Sequence, residues 1–217
     1  MGNMFISDES VNFRFKQSMD WNEEHPYQNL NVDSDEYTLI SVGDCHVGKI
    51  KNLNQLFIEA KNKNASALIF VGDNTTGHQQ DYEVFDNVLS SNEKMNKFLV
   101  VGNHDLYFNG WEQHYSRFGA TTFYFTITTP TATDIFICLD SGSGTLGSEQ
   151  LQWFKNLLEN QRQIYRHCIL YTHNNLFRFR RTFSTNPKIE EIQVLLDLFT
   201  RHQVDMVVGG HDHFRDE

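Results

Sequence analysis

Residues 65–74 read Ala-Ser-Ala-Leu-Ile-Phe-Val-Gly-Asp-Asn, a short apolar run that ends in a glycine and two polar residues. A continuous apolar run of this length is typical of a strand that is buried on both faces of a parallel sheet. Helical stretches flank it around Leu53–Lys61 and Asp81–Ser90, which is the alternation expected of βαβ units. We therefore predict an α/β domain in which Ala65–Val71 is a buried strand.

The same alternation continues through the rest of the chain. Thr121–Thr129 and Asp134–Leu139 flank a turn and predict an antiparallel hairpin, so the sheet is expected to be mixed. Residues 1–35 are polar and loosely patterned, and we expect an arm or short helix there that packs on a domain spanning residues 36–217. Further strands are predicted at Glu36–Val42, Lys97–Val101, Ile164–Tyr171 and Val204–Val208, and further helices at Ser148–Arg162 and Ile189–Arg201.

The composition restricts the class of protein. With 217 residues, of which 39% are hydrophobic, the chain can form one domain with a sizeable core. Its 18 basic and 28 acidic residues give a net charge of −10, which disfavours a nucleic-acid partner. No signal peptide or membrane span is visible, so we expect no membrane partner, and no protein partner is evident. The three cysteines are no disulfide framework, which favours the cytoplasm over an exported mature form.

Five of the predicted strands end in aspartate, asparagine or histidine. Ligands bind at the carboxyl ends of strands in open α/β sheets, so these side chains are expected to converge. Carboxylate, amide and imidazole donors without a thiolate suit Mn, Fe, Zn or Ni. These donors are too many for one tetrahedral site. With one carboxylate shared, they suit two ions about 3.5–4 Å apart. The motifs are Gly43-Asp44-Cys45-His46-Val47-Gly48, Gly72-Asp73-Asn74, Gly102-Asn103-His104-Asp105, Thr172-His173-Asn174 and Gly209-Gly210-His211-Asp212-His213.

Single motifs of this kind also have ordinary structural explanations. Gly-Asp-Asn is a common turn, and Thr-His-Asn can hold a hydrogen-bonded histidine without any ligand. Asp44 and His46 are more specific, because side chains two residues apart on an extended backbone face the same side and can chelate one ion. All five motifs in this order favour one dinuclear site.

The order of the motifs resembles the calcineurin-like metallophosphoesterase superfamily, from Glu36 to His213. That family carries Gly-Asp-x-His-x-Gly, Gly-Asp, Gly-Asn-His-Asp/Glu, an isolated His and Gly-His-x-His. The segment that begins Leu139-Asp140-Ser141 also looks like the phosphodiesterase and purple-acid-phosphatase-like branches. The resemblance implies a four-layer α/β/β/α sandwich of the metallo-dependent phosphatase type and a hydrolase that acts on phosphoesters.

The resemblance also implies a role for each motif residue. A hydroxide between two metal ions would attack phosphorus, while the ions neutralise the phosphoryl oxygens. His104 would protonate the leaving oxygen as the general acid, or steady the phosphate. Asp73 would bridge the two ions. The remaining ligands would be Asp44, His46 and His213 for one ion and Asn103, His173 and His211 for the other.

The sequence departs from the family pattern in three places. Protein Ser/Thr phosphatases continue the second motif with an acidic residue and Arg-Gly, but this chain has Asn74-Thr75-Thr76-Gly77-His78. A protein phosphatase is therefore the less favoured alternative, and Asp105 is expected to replace the missing carboxylate partner of the catalytic histidine. No tyrosine lies near Asp73, which disfavours an Fe(III)-tyrosinate centre. The chain stops soon after His213, where family members usually continue, so we expect a domain truncated at its C-terminus.

The substrate is expected to be a small phosphodiester or phosphomonoester. Phosphate recognition normally adds a cation, for which Arg178 and His78 are candidates. Tyr107, Phe108 and Trp111 follow the third motif and can either wall a pocket for a base or aryl group or pack in the core. A non-catalytic metal-binding scaffold and a nuclease are alternatives, of which the net charge disfavours the nuclease.

Overall fold

The computed structural model describes residues 9–47, 50–174 and 189–213. No helix within these ranges is long and apolar enough to cross a lipid bilayer. The strands are β1 (Asn29–Asn31), β2 (Leu39–Val42), β3 (Ala67–Val71), β4 (Lys97–Val100), β5 (Phe123–Thr128), β6 (Thr133–Leu139), β7 (Cys168–Thr172) and β8 (Met206–Val208). The α-helices are α1 (Val11–Glu24), α2 (Ile50–Asn62), α3 (Gln79–Ser90), α4 (Gly110–Phe118), α5 (Gly147–Gln161) and α6 (Ile189–Arg201).

The first sheet is parallel and contains β2, β3 and β4, with β3 in the centre. All of β3 is buried, which explains why its sequence is apolar without alternation. Leu68 and Phe70 belong to the core on the side of α2 and α3, whereas Ile69 and Val71 belong to the core between the sheets. The central strand of the predicted βαβ units is therefore confirmed.

The second sheet has the strand order β1-β5-β6-β7-β8. β5 and β6 form the predicted antiparallel hairpin, in which Phe123 pairs with Cys138 and Thr128 pairs with Thr133. The other neighbouring pairs in this sheet are parallel. The sheet is therefore mixed, as expected from the alternation in the hairpin and the crossover helices that precede β7 and β8.

The two sheets pack face to face and are covered by helices on their outer faces. Between them, the rings of Phe98 and Phe125 stack with centroids 3.6 Å apart, and Phe125 stacks on Phe136 at 4.8 Å. Helices α2 and α3 cover the first sheet, and α5 and α6 cover the second. Since each face of a sheet buries its apolar side chains against another layer, the predicted four-layer α/β/β/α sandwich is confirmed.

The N-terminal segment is joined to helix α5 and to the second sheet. Helix α1 packs against α5, and Nε of Arg14 lies 2.7 Å from Oδ2 of Asp140, with both side chains fully buried. Strand β1 extends the second sheet by pairing with β5. The sequence did not predict β1. It also did not predict α4, whose buried face contains Gly110, Trp111 and His114 instead of an aliphatic stripe.

Candidate metal centre

The loops that follow β2, β3, β4, β7 and β8 meet at one end of the two sheets. Asp73, in the loop after β3, is buried and lies at the centre of the cluster. Its Oδ2 atom is 3.2 Å from Nε2 of His173, 3.7 Å from Nε2 of His46 and 3.9 Å from Nε2 of His104. The predicted convergence of the strand ends therefore occurs.

The nitrogen and oxygen donors form three overlapping groups that could hold metal ions. In each group the ligand atoms lie within 4.8 Å of one another. Asp73 belongs to two of the groups and His46 also belongs to two, so the groups are continuous. The members are Asp44, His46 and His213 in one group, His46, Asp73 and His104 in the next, and Asp73, His173 and His211 in the third.

The backbone of the candidate ligands is unusual. Among the described residues, nine other than glycine have a positive φ, and five of these are candidate metal ligands. Such conformations cost free energy for most L-residues and concentrate at functional sites. The expectation that Asp44 and His46 lie on extended backbone is wrong, because β2 ends at Val42. The five ligands, with φ between 38° and 73°, are Asp44, His46, Asp73, His211 and His213.

Two glycines allow the loops to approach each other closely. A Cβ at Gly72, where φ is +85°, would lie 2.5 Å from Nδ1 of His173. A Cβ at Gly102 would collide with the carboxylate of Asp73. The glycines that precede these motifs are therefore required by the packing of one loop against the next.

Asp44 connects the loop after β2 with the loop after β8. The backbone N–H of His211 lies 3.1 and 3.0 Å from the two carboxylate oxygens of Asp44. Nε2 of His213 lies 3.4 Å from Oδ1 of the same residue. The ring of His213 also stacks on that of His46, with centroids 5.4 Å apart. These contacts bring together one carboxylate and two imidazoles from opposite sheets.

The orientation of the His173 ring is fixed by its backbone contact. Nδ1 lies 2.8 Å from the carbonyl oxygen of Val71, and since a carbonyl only accepts, Nδ1 carries the proton. In the neutral ring Nε2 then carries the lone pair that can bind a metal ion, an arrangement found in many metal-ligating histidines. This atom faces Asp73. Burial opposes ionisation of both side chains, but their mutual contact outweighs it, raising the pKa of His173 and lowering that of Asp73.

Asn103 presents an oxygen atom that suits a metal ion. Its Nδ2 donates a hydrogen bond to the hydroxyl of Tyr107 at 3.0 Å, which sets the orientation of the amide. Its Oδ1 is buried and has no hydrogen-bond partner within the described residues. Buried polar atoms of this kind need a partner, and a bound metal ion would provide one. This carboxylate, amide and imidazole set fits the two N/O-liganded ions expected from the sequence.

His104 lies at the edge of this centre. Its side chain is 40% exposed, and its ring centroid is 4.5 Å from that of His46. Its backbone N–H donates to Oδ1 of Asp73 at 2.8 Å, which ties the loop after β4 to the central carboxylate. The imidazole is therefore both close to the donor groups and accessible to a substrate.

The carboxylate of Asp105 is held by the backbone of two loops of the centre. Its carboxylate is buried and accepts hydrogen bonds from the backbone N–H groups of Gly102 at 2.9 Å and Thr75 at 2.8 Å. Burial, together with the nearby charge of Asp73, raises the pKa of Asp105 to about 6. The described hydrogen bonds of this carboxylate do not include the ring of His104. These hydrogen bonds hold the loops around Asp73 and His104 together, and the catalytic role expected of Asp105 stays a prediction.

The two substrate-binding candidates have different outcomes. Arg178 lies outside the described residues. His78 is exposed and stacks on Phe108, with ring centroids 3.9 Å apart and an interplanar angle of 19°.

The sequence analysis did not predict the hydrogen bonds that hold the backbone around His173. Oγ of Ser141 accepts hydrogen bonds from the backbone N–H of Asn174 at 2.8 Å and from Oγ1 of Thr172 at 2.7 Å, on both sides of His173. Asp140 precedes Ser141 and pairs with Arg14. The sequence contains a sign of these contacts, because β6 is followed by polar residues, as the five motif strands are.

Comparison with known proteins identifies the family. Residues 37–215 match the model of the calcineurin-like phosphoesterase family. A search of curated protein sequences gave no significant match.

Solved structures show the same fold at low sequence identity. A dimetal phosphatase from Danio rerio superposes with a TM-score of 0.60 and 12% identity over 82% of each chain. The phosphopantetheinyl hydrolase from Mycobacterium tuberculosis gives 0.54 and 14% over 83% of this chain and 84% of that one. A putative 5'-nucleotidase from Staphylococcus aureus in complex with alpha-ketoglutarate gives 0.53 and 13% over 82% of this chain and 45% of that one. The chain thus belongs to the calcineurin-like phosphoesterase family and is a metal-dependent phosphoesterase.

Proposed function

We propose that this protein hydrolyses a small phosphodiester or phosphomonoester at a centre that holds two metal ions. The position of Asp73 carries the proposal, because its carboxylate belongs both to the group with His46 and to the group with His173 and His211. A carboxylate shared by two donor groups is what two adjacent ions require.

The proposed ligands divide into two sets around Asp73. Each set contains imidazole nitrogen and an oxygen donor, which suits Mn, Fe, Zn or Ni, and availability rather than the donor set decides among these metals. The orphaned Oδ1 of Asn103 supports its assignment as a ligand. One ion would be held by Asp44, His46, His213 and the shared Asp73, and the other by Asn103, His173, His211 and Asp73.

His104 is proposed as the general acid. Two divalent ions, when bound, supply activation of water and neutralisation of charge on the phosphoryl oxygens. The hydrogen bond from the His104 backbone to Asp73 holds the imidazole beside the proposed ligands. Since the ring is partly exposed, it can reach the leaving oxygen of an ester bound there and give it a proton.

The remaining residues of the centre orient the ligands. Tyr107 fixes the amide of Asn103, and Asp105 holds the loop of Asp73 against the loop of His104 through backbone hydrogen bonds. Ser141 fixes the backbone on both sides of His173. Such outer contacts keep ligands in place and influence the affinity for metal.

The proposal is tested by rates of hydrolysis with Mn(II) supplied. We compare bis(p-nitrophenyl) phosphate with p-nitrophenyl phosphate, and each with its phenyl counterpart, for the unmodified chain and His104→Ala. The His104→Ala variant should lose about 10²-fold or more in kcat. The loss should be larger for the phenyl esters, because phenolate is the more basic leaving group and needs the proton more.

His25→Ala is the control, since His25 is exposed and belongs to none of the donor groups. Its rates should equal those of the unmodified chain. A loss in His104→Ala that is equal for both leaving groups would contradict the acid role. A folded, metal-loaded protein that hydrolyses none of these esters would contradict the function, and preference for a phosphopeptide would favour a protein phosphatase.

A further inference from the structure

The three aromatic residues that follow the third motif have three different environments. Trp111 is 2% exposed and belongs to the core. Tyr107 is half-buried and accepts the hydrogen bond from the amide of Asn103. Phe108 differs from both, because its side chain is 42% exposed. Packing explains the first, and support of a ligand explains the second, but neither explains Phe108.

Phe108 is held in a conformation that a large side chain seldom adopts. Its φ is 55°, and that of the next residue, Asn109, is 60°. Two consecutive left-handed residues other than glycine are unfavourable, and strain of this kind concentrates at binding sites. The conformation places the phenyl ring parallel to the exposed imidazole of His78, with centroids 3.9 Å apart. His78 and Phe108 form a stacked pair that is open to solvent, and we call it the aromatic platform.

The residues that precede the two members of the aromatic platform contact the turn of the proposed general acid. The ring of Tyr107, which precedes Phe108, is 4.7 Å from the ring of His104. On the other side, Gly77, which precedes His78, packs against the backbone carbonyls of His104 and Tyr107. Both halves of the platform therefore belong to segments that contact the turn carrying His104.

We infer that the aromatic platform binds a planar aromatic ring in the leaving alcohol of the substrate. The inference rests on the proposed function, because the group that leaves is the one closest to the general acid. A flat, exposed pair of rings favours a further ring by offset stacking, and every aryl group or nucleobase has a suitable face. The platform thereby selects esters of aromatic alcohols over esters of saturated alcohols of equal size.

The test compares benzyl and cyclohexylmethyl esters, whose leaving alcohols have similar size and similar acidity. They are used as phosphate monoesters or as methyl diesters, whichever form the p-nitrophenyl comparison shows to be hydrolysed. Phe108→Ala should lower kcat/KM for the benzyl ester about fivefold or more, and less than twofold for the cyclohexylmethyl ester. Phe108→Trp, which retains a ring, should preserve the preference.

Phe13→Ala is the matched control, since Phe13 is also exposed but lies on α1, and it should change neither rate. A third ester, with adenosine as the leaving alcohol, separates the two kinds of ring. A loss on this ester alone assigns the platform to nucleobases, and equal losses on it and the benzyl ester assign it to any planar ring. Equal losses on the benzyl and cyclohexylmethyl esters, or no loss on any ester, would overturn the inference.

A binding measurement separates failure of this inference from failure of the proposed function. Benzylphosphonate and cyclohexylmethylphosphonate are titrated into metal-loaded protein by calorimetry, which needs no turnover. The unmodified chain should bind benzylphosphonate about fivefold more tightly, and Phe108→Ala should bind both equally. Equal affinity in the unmodified chain, or no binding of either, together with no loss on the adenosine ester in Phe108→Ala, would overturn the platform even if esters are hydrolysed.

Discussion

The carboxylate of Asp73 lies 3.2 Å from Nε2 of His173, although the strands that precede them, β3 and β7, belong to different sheets. This contact requires the two sheets to pack face to face with their strand ends at the same edge. A metal ion bound by both residues would therefore connect the halves of the sandwich. Binding of metal and stability of the fold should be linked.

Addition of Mn(II) should stabilise the folded protein. A ligand present at 100 times its Kd adds about 2.7 kcal/mol to the free energy of unfolding, which corresponds to a rise in Tm of roughly 5–10 °C for a domain of this size. Calorimetry with Mn(II) and with a chelator measures the shift. Asp73→Asn should lose most of it, while Asp33→Asn, at an exposed position, should retain it. An unchanged Tm in the unmodified chain would be evidence against bound metal.

Tyr107→Phe should weaken one metal site and not the other. The variant removes the hydroxyl that accepts the hydrogen bond from Nδ2 of Asn103. The amide can then rotate, and loss of such an outer contact typically costs 10- to 100-fold in affinity. Titration with Mn(II) should show the loss, about 10-fold, in one of two classes of site. Tyr115→Phe is the control, because its hydroxyl bonds Gln17 instead; equal weakening of both classes in Tyr107→Phe would contradict the assignment.

Arg14→Met should destabilise the fold through Asp140. Both side chains are fully buried, so the variant leaves a charged carboxylate without its partner. Breaking a buried pair in this way costs about 3–5 kcal/mol. Unfolding by urea measures the change, and the double variant Arg14→Met with Asp140→Asn should recover part of it. A loss of less than about 1 kcal/mol in the free energy of unfolding of the single variant would mean that this pair does not stabilise the packing of α1.

Asp134 should contribute stability that is lost in acid. Its buried carboxylate accepts hydrogen bonds from Tyr37 at 2.6 Å and from Arg166 at 2.9 and 2.6 Å. Burial opposes ionisation, but these hydrogen bonds and the charge of Arg166 outweigh it, so the pKa of Asp134 lies below its ordinary value of 3.8. The unfolded state then binds the proton more readily than the folded state. The contribution is present above pH 4 or so and is lost as pH falls through the lowered pKa.

The measurement for Asp134 is the free energy of unfolding of the unmodified chain and of Asp134→Asn as a function of pH. The variant should be less stable by about 2–3 kcal/mol near pH 6, and the difference should shrink below about pH 4. Asp33→Asn should show no such difference at either pH. A difference for Asp134→Asn that does not change with pH would show that its charge is unimportant.

Much of the fold was predictable because its strands are buried runs with sharp ends. β3 is buried throughout, so its sequence is continuously apolar, and the glycine after it marks where the chain turns into the site. Helix α1 lies in the segment predicted as an arm or short helix, but its buried face was not predictable, because the buried residues are Arg14, Phe15 and Ser18. A polar helix face can be recognised as a buried face only when its partner, here Asp140, is known.

The candidate site was predictable in composition more than in geometry. Donor types and strand ends predicted which side chains meet. The backbone of Asp44 and His46 was not predictable, because a left-handed conformation at these residues is stabilised by hydrogen bonds to the loop after β3. The hydrogen bonds of Asp105 were also not predictable, since the backbone N–H groups of that loop leave no signature in the sequence.

Titration of the metal-free protein with Mn(II) tests the dinuclear centre most directly. Bound Mn(II) is followed by electron paramagnetic resonance while hydrolysis of bis(p-nitrophenyl) phosphate and p-nitrophenyl phosphate is measured in the same samples. Two ions that share Asp73 should give a spin-coupled signal, and hydrolysis of the preferred ester should saturate at two ions per chain. Saturation at one ion per chain with an uncoupled signal, or hydrolysis that persists without metal, would contradict the account.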